Sequence, residues 1–263
     1  MAKRYKIFVI FLIGVILISI AAATFAKSEV DYSVHFIDTG QSDCILIKAG
    51  GKNYLIDTGA PYYSSKILKY LDTQNVKTID AIILTHYHDD HYGGLKKILD
   101  SKKVNLVLLP SHRHEKNEEL YNYIKNKGVK VEYINKDTKL QYKKMNLKFI
   151  VPLKEDKLCE NNNSLVLCGK IDGVKYVFMG DCQKQEEKYI AKCKGIENCD
   201  IIKIAHHGLN TSSTKLLLKV TNPKVAIITC DGVESPNKSV IQRLDKLGTS
   251  IYRTDKNGTI EVK

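Results

Sequence analysis

The feature that most limits what this chain can become is the run Thr85-His86-Tyr87-His88-Asp89-Asp90-His91, set directly after the apolar residues Ala81-Ile82-Ile83-Leu84. A buried strand that ends in three histidines and two aspartates is costly unless those groups meet a metal ion. Clustered neutral imidazoles with a carboxylate suit zinc, iron or manganese. Residues two apart in an extended segment point the same way, so His86 and His88 can chelate one ion while Asp90 and His91 turn to a second. One lone histidine would read as part of a solvated polar loop; this grouping does not.

Around that run the pattern is mixed. Short β-branched or apolar stretches bounded by Gly, Asp and Asn predict strands at 33–38, 44–48, 52–57, 79–84 and 104–109. Helical spacing predicts helices at 64–74, 94–100 and 115–127, the last with Leu120 and Ile124 inward. Strands at 130–134, 140–142 and 147–151 follow. The second half runs in a similar order, with a hairpin 164–171/174–179 around Asp172-Gly173, then helices at 183–192, 214–220 and 239–247 alternating with strands at 201–205 and 225–229. Two last strands, 251–253 and 259–262, are read as turned by Asn257-Gly258. No internal repeat and no low-complexity linker is visible after Val30. Two sheets packed face to face with helices outside is the layered solution this order suggests, in one domain from 30 to 263.

These residues resemble a known family. His86-Tyr87-His88-Asp89-Asp90-His91 is similar to the HxHxDH signature of the metallo-β-lactamase superfamily. More narrowly, His35-Phe36-Ile37-Asp38-Thr39-Gly40-Gln41-Ser42-Asp43 and Asn53-Tyr54-Leu55-Ile56-Asp57-Thr58-Gly59 resemble the hydrolase domain of ComEC-type DNA-uptake competence proteins. So do Asn162-Asn163-Ser164-Leu165-Val166-Leu167, Met179-Gly180-Asp181 and Lys203-Ile204-Ala205-His206-His207-Gly208, all in family order. The resemblance covers residues 33–263 and implies an α/β fold, a four-layer αββα sandwich. It also implies roles: His86 and His88 on a first metal, Asp90 and His91 on a second, Asp181 bridging, and His207, the histidine before glycine, as the last ligand. His206 is then a supporting partner. Asp181 also reads as a cap for the helix at 183–192.

Two departures from the family pattern carry weight. Its members usually place a further histidine before the bridging aspartate, whereas Glu160-Asn161-Asn162-Asn163-Ser164 has none; His112 and His114 come too early and read as solvated or substrate-facing. That leaves the first metal short of protein ligands, and oxygen-rich ligation shifts preference toward manganese or magnesium. Ser235, in Glu234-Ser235-Pro236, stands where competence-type relatives often carry a histidine. Asp38, Asp57, Asn163, His206 and Ser235 are read as orienting the ligands or facing substrate, and Gly40, Gly59, Gly93 and Gly94 as supplying backbone freedom near the site.

The N-terminus bounds location. Lys3, Arg4 and Lys6 precede an uncharged stretch, 7–26, ending in Ala21-Ala22-Ala23-Thr24-Phe25-Ala26. Residues 1–26 read as a signal peptide cut after Ala23 or Ala26, or as a single uncleaved membrane anchor. Either way the catalytic part is exported and secreted or held at the cell surface. Seven cysteines, with no CxxC pair, leave at least one unpaired; Cys44, Cys168 and Cys230 read as core residues and Cys159, Cys193 and Cys199 as candidates for pairing. The net charge of +12 favours an anionic partner, such as nucleic acid, a wall polymer or lipid headgroups, or else reflects scattered solvated lysines.

Two divalent ions, zinc or manganese, would turn a shared water into hydroxide near neutral pH, a nucleophile that needs no serine or cysteine. Asp90, Asp181 and His207 would then be the catalytic residues. The leading expectation is phosphodiester hydrolysis of DNA. The alternatives are hydrolysis of a small ester, a lactam or a wall-linked phosphodiester, and a non-catalytic DNA- or wall-binding accessory protein.

Overall fold

In a computed structural model, residues 32–112 and 114–263 are described. The leader assigned to residues 1–26 lies outside them. In chain order the strands are β1 (Tyr32–Phe36), β2 (Ile45–Ala49), β3 (Lys52–Ile56), β4 (Thr78–Ile79), β5 (Ala81–Ile83), β6 (Lys103–Val104), β7 (Leu106–Pro110) and β8 (Lys130–Ile134). They continue with β9 (Lys139–Tyr142), β10 (Met145–Ile150), β11 (Val166–Ile171), β12 (Val174–Phe178), β13 (Ile201–Lys203), β14 (Val225–Ile228), β15 (Ser250–Arg253) and β16 (Ile260–Val262). The helices are α1 (Ser64–Thr73), α2 (Asp89–Tyr92), α3 (Leu95–Ser101), α4 (Lys116–Asn126), α5 (Lys184–Ile190), α6 (Lys215–Thr221), α7 (Lys238–Asp245) and α8 (Thr254–Asn257).

Period-two alternation in strands that are apolar on both faces builds the layers. In β2, Ile45 and Ile47 join Phe36, Phe149, Leu167 and Phe178 in a core between two sheets, while Leu46 turns outward to Ile67 and Leu71 of α1. On the far side, Val177, Ile202 and Ile228 meet Leu217 and Leu218 of α6 and Val240 and Leu244 of α7. Three apolar layers thus separate four layers of structure, αββα, and each fully buried Ile or Leu contributes about 1.5–3 kcal/mol.

The two seven-stranded sheets share one plan: β16-β1-β2-β3-β5-β7-β8 and β9-β10-β11-β12-β13-β14-β15. In each, four strands pair antiparallel and three more add in parallel, with helices carrying the parallel crossovers. This is a repeat of architecture without a visible repeat of sequence. The C-terminal strand β16 lies antiparallel to β1, in the position that β9 holds in the other sheet.

Several expectations change. Asn257-Gly258 does not close a hairpin: α8 separates β15 from β16, which belong to different sheets. The strand expected at 79–84 breaks at Asp80, whose carboxylate leaves the ladder to accept the Asn53 N–H at 2.9 Å. All seven cysteines are free thiols, so Cys159, Cys193 and Cys199 do not pair, while Cys44, Cys168 and Cys230 are buried. Asp172 and Gly173, with φ of 45° and 87°, do form the two-residue turn between β11 and β12. Among the described residues no helix is long and apolar enough to cross a membrane.

Two of the four glycines near the site serve space rather than freedom. Gly40 and Gly59 have positive φ, but Gly93 and Gly94 have ordinary helical backbones. A Cβ on Gly94 would lie 2.1 Å from the Thr58 carbonyl oxygen. Gly94→Ala must therefore push the 57–59 loop away from α3, and urea unfolding is expected to show a loss of about 1–3 kcal/mol.

Candidate metal centre

The sandwich places the chemistry at one edge, where parallel strands end and their loops diverge. Asp57 follows β3, and His86 follows β5 by three residues. Asp181 follows β12, His206 and His207 follow β13, and Thr229 follows β14. Asp90 and His91 lie in α2. Sheet one thus supplies one half of the centre and sheet two the other.

Asp90, His91, Asp181 and His207 come together, with one donor atom of each within 4.8 Å of the others. Asp181 Oδ2 lies 3.2 Å from His91 Nε2 and 3.3 Å from His207 Nε2. Asp90 Oδ2 lies 3.5 Å and 3.1 Å from the same two nitrogens. Beside this cluster, His86 Nε2 is 3.2 Å from His88 Nδ1, and the His86 and His91 rings are 4.1 Å apart. Two atoms test whether these residues suit a metal: among the described residues, His91 Nε2 and Asp181 Oδ1 are buried with no hydrogen-bond partner. A cation would satisfy both, and the set of nitrogen and oxygen donors is that of zinc, iron or manganese.

The far side of each imidazole is tied down. His91 Nδ1 lies 2.7 Å from Asp57 Oδ2, and His207 Nδ1 lies 2.9 Å from the Thr229 carbonyl oxygen. A ligating histidine needs this arrangement, because the bond at Nδ1 fixes the tautomer and aims Nε2 inward. Asp57 also accepts from Thr85 N–H and Oγ1, at 2.8 and 2.7 Å. Thr229 Oγ1 donates to Asp43, which also faces the ammonium of Lys203. Lys203 is 1% exposed, 3.6 Å from Asp181 Oδ1, and donates to the Gly180 carbonyl at 3.3 Å.

Backbone strain collects here. Asp57, His206 and His207 have φ of 59°, 50° and 52°, a conformation that side chains other than glycine rarely adopt. The strain points His207 into the cluster and leaves His206 at its rim, with His206 Nε2 at 4.0 Å from Asp181 Oδ2.

Charge balances without an ion through protons. Burial disfavours the imidazolium of His207, but Asp181, Asp90 and Asp43 outweigh that and hold its pKa up at about 9. His91 is likewise pushed well above the usual range by Asp181, Asp57 and Asp90 against the pull of burial. Burial would raise the Asp181 pKa, yet His207, His91 and Lys203 hold it well below the carboxylate range. His86 goes the other way: burial, then the neighbouring His91 charge, keeps it neutral and ready to ligate.

The other residues singled out in the sequence have the following partners. Asp38 pairs with Lys66 Nζ at 2.7 Å on the surface. Asn163 serves its own loop, accepting the Asp156 N–H at 2.8 Å and donating to Glu160 at 2.9 Å. Asp181 caps no helix; Gln183 occupies that position for α5. Ser235 is buried and donates to Gln41 Oε1. His112 is not solvated: its Nε2 is 2.8 Å from Glu160 Oε1, an oxygen that also accepts the Tyr87 N–H at 2.9 Å. His114 stacks on the Tyr87 ring at 4.9 Å. Lys203, Asp43, Thr229 and Glu160 were not foreseen as parts of the site. Lys203 had a signal, a lone charge inside Ile201-Ile202-Lys203-Ile204, and Asp43 closes the motif that begins at His35; Thr229 and Glu160 had none, because their partners are remote in sequence.

Two outcomes follow from this charge arrangement. Lys203→Met strands a buried carboxylate at Asp43, and urea unfolding is expected to show about 3–5 kcal/mol of lost stability. At pH 7, His91 and His207 carry protons that a metal ion must displace. Binding should therefore release protons and tighten as pH rises toward about 9. Calorimetry in two buffers of different ionisation enthalpy checks this; binding with no proton release would contradict it.

Comparison with known proteins shows the family. Residues 37–232 match the metallo-beta-lactamase superfamily model. "ComE operon protein 3" of Bacillus subtilis is 29% identical over 261 residues, covering 90% of this chain and 33% of that protein. "Recombination protein 2" of Haemophilus influenzae is 26% identical over 259 residues, covering 95% of this chain and 31% of its own length. The chain thus spans about a third of the curated relatives it matches. Among solved structures, the metallo-beta-lactamase fold protein YhfI of Bacillus subtilis superposes with a TM-score of 0.64 at 12% identity, over 88% of this chain and 100% of that one. With the family matched across most of the sequence, the shared fold, and histidines and aspartates gathered at the sheet edge, the chain belongs to the metallo-β-lactamase superfamily.

Proposed function

We propose that this protein is an exported, binuclear metal-dependent phosphodiesterase that cleaves DNA. The observation that carries the chemistry is the Asp90, His91, Asp181 and His207 cluster with the His86 and His88 pair beside it. The first four residues would hold one ion; His86 and His88, sharing Asp181, would hold the other, both zinc or both manganese. Bound there, divalent ions would supply Lewis acidity toward a phosphoryl oxygen and lower the pKa of a water. The chain's own residues do the positioning. Lys203 and His207 hold Asp181 in its ionised form, Asp57 fixes the His91 ring, and Thr229 fixes the His207 ring. His206 stands at the rim with its side chain 17% exposed, where an incoming substrate would meet it.

A polymeric anion suits the surroundings. A groove of about 1040 Å³ is lined by Asn162 and Gln183, next in sequence to Asn161 and two residues from Asp181. Lys154, Lys157, Lys188 and Lys192 line it, with Tyr189 available for a base or sugar to pack on. Glu155, Asp156 and Glu186 share its wall, but Asp156 accepts from the N–H groups of Leu158 and Cys159 and from Asn162 Nδ2. The competence-type sequence motifs and the relative named for recombination favour DNA over other phosphodiesters. The apolar N-terminal stretch behind Lys3, Arg4 and Lys6 supports export, with the segment cleaved or kept as a membrane anchor.

Purified protein loaded with manganese or zinc should cleave single-stranded DNA. His91→Ala and Asp181→Ala should each lower the rate by more than about 100-fold, beyond what loss of a merely orienting partner costs. Salt-sensitive DNA binding with no cleavage under either ion would instead identify a binding accessory protein.

A further inference from the structure

The short turn Glu160–Asn163 holds a side chain that the metal-centre reading leaves unused. Asn161 is 7% exposed, and its Oδ1 is buried with no hydrogen-bond partner among the described residues. Three contacts fix its surroundings. Glu160, the preceding residue, accepts the N–H of Tyr87, the residue between His86 and His88, at 2.9 Å. The Leu165 N–H donates to the Thr85 carbonyl at 3.0 Å, so the chain leaving the turn runs beside the residue that precedes His86. Asn161 Nδ2 lies 3.3 Å from His206 Nε2, the nitrogen that is itself 4.0 Å from Asp181 Oδ2. Asn161 is therefore enclosed between the His86–His88 segment and the His206–His207 turn.

One His206 tautomer accounts for the way its amide lies. His206 Nδ1 lies 2.7 Å from Thr211 Oγ1. With that nitrogen donating to the hydroxyl, Nε2 is left as an acceptor for the Asn161 N–H. The carbonyl end then faces away from His206, toward no hydrogen-bond partner among the described residues. The nearby His86 and His88 pair offers two nitrogens and a share of Asp181, fewer donors than the four to six that a divalent ion takes.

We propose that Asn161 Oδ1 is a ligand, donating to the ion held by His86 and His88 and biasing that position toward a hard cation such as manganese. A side-chain carbonyl is a hard oxygen donor, and it suits manganese or magnesium better than zinc. The assignment rests on the binuclear reading, and it predicts that the two metal positions differ in preference: the one at Asp90, His91 and His207 takes zinc or manganese, and the one at His86, His88 and Asn161 discriminates.

The test counts ions and does not depend on DNA cleavage. The full chain, stripped of metal, is dialysed against manganese alone or zinc alone; bound ion is counted by mass spectrometry and manganese coordination is followed by electron paramagnetic resonance. Wild type should hold two manganese ions, and His86→Ala one. Asn161→Ala should lose the same ion, or bind it at least tenfold more weakly, and Asn161→Asp should restore it. Asn161→Leu, which removes the stranded carbonyl, should melt no lower than wild type when metal-free, whereas a residue with a purely structural role would melt lower. Two manganese ions bound at wild-type affinity in Asn161→Ala would overturn the assignment alone. Wild type that binds fewer than two ions would overturn it together with the binuclear reading. Two ions bound in wild type without any DNA cleavage would overturn the proposed substrate and leave Asn161 as a ligand.

Discussion

Carboxylates gathered away from water govern the rest of this structure. Asp43, Asp57 and Asp181 are each at most 2% exposed at the side chain, and Asp90 leans over them from the rim. Lys203 supplies one permanent positive charge to that group. Buried charge must be compensated or neutralised, and one ammonium against so many carboxylates is not enough. The histidines close the gap: His91 and His207 are held in their protonated forms, and would present bare nitrogens to a bound ion. The same neighbours that stabilise the imidazolium forms would stabilise a divalent ion, so the centre is built for positive charge whichever carrier supplies it.

That balance explains why the fold needs both sheets. Sheet one contributes the 86–91 segment and Asp57; sheet two contributes Asp181, Lys203, His207 and Thr229. The bonds between the halves are polar and short, such as Thr229 Oγ1 to Asp43 at 2.5 Å and His207 Nε2 to Asp90 at 3.1 Å. They form at this separation because the apolar layer built from Phe36, Ile45, Phe149, Leu167 and Phe178 sets the spacing of the sheets. Strain at Asp57, His206 and His207 is tolerated because packing and these bonds over-determine the loops. Gly94 shows the same economy of space, since its missing side chain lets α3 close against the carbonyl of Thr58.

Much of this was legible in the chain itself. Short β-branched or apolar runs bounded by Gly, Asp and Asn located the strands, and the Asp172-Gly173 pair located a hairpin, because both signals are local. The histidine-rich run announced a metal centre for the same reason: its donors are at most five residues apart. Errors arose where local chemistry was ambiguous. Asn257-Gly258 looks like a hairpin turn, yet the strands it separates pair with β1 and β14 in different sheets. His112 looks like a surface histidine until Glu160, 48 residues later, folds against it.

The sequence by itself determined the donor types, their order along the chain and the layered α/β class, since these depend on residue identity and short-range periodicity. Only the tertiary structure decided which donors meet, because that depends on contacts across 117 residues between Asp90 and His207, and across 186 between Asp43 and Thr229. It alone made Lys203 the counter-charge of the centre, paired Asp38 with Lys66 at the surface, and brought Asn161 to its wall. The physical reason is that a side chain's charge and hydrogen-bonding capacity are fixed by its identity, while its partners are fixed by how two sheets pack.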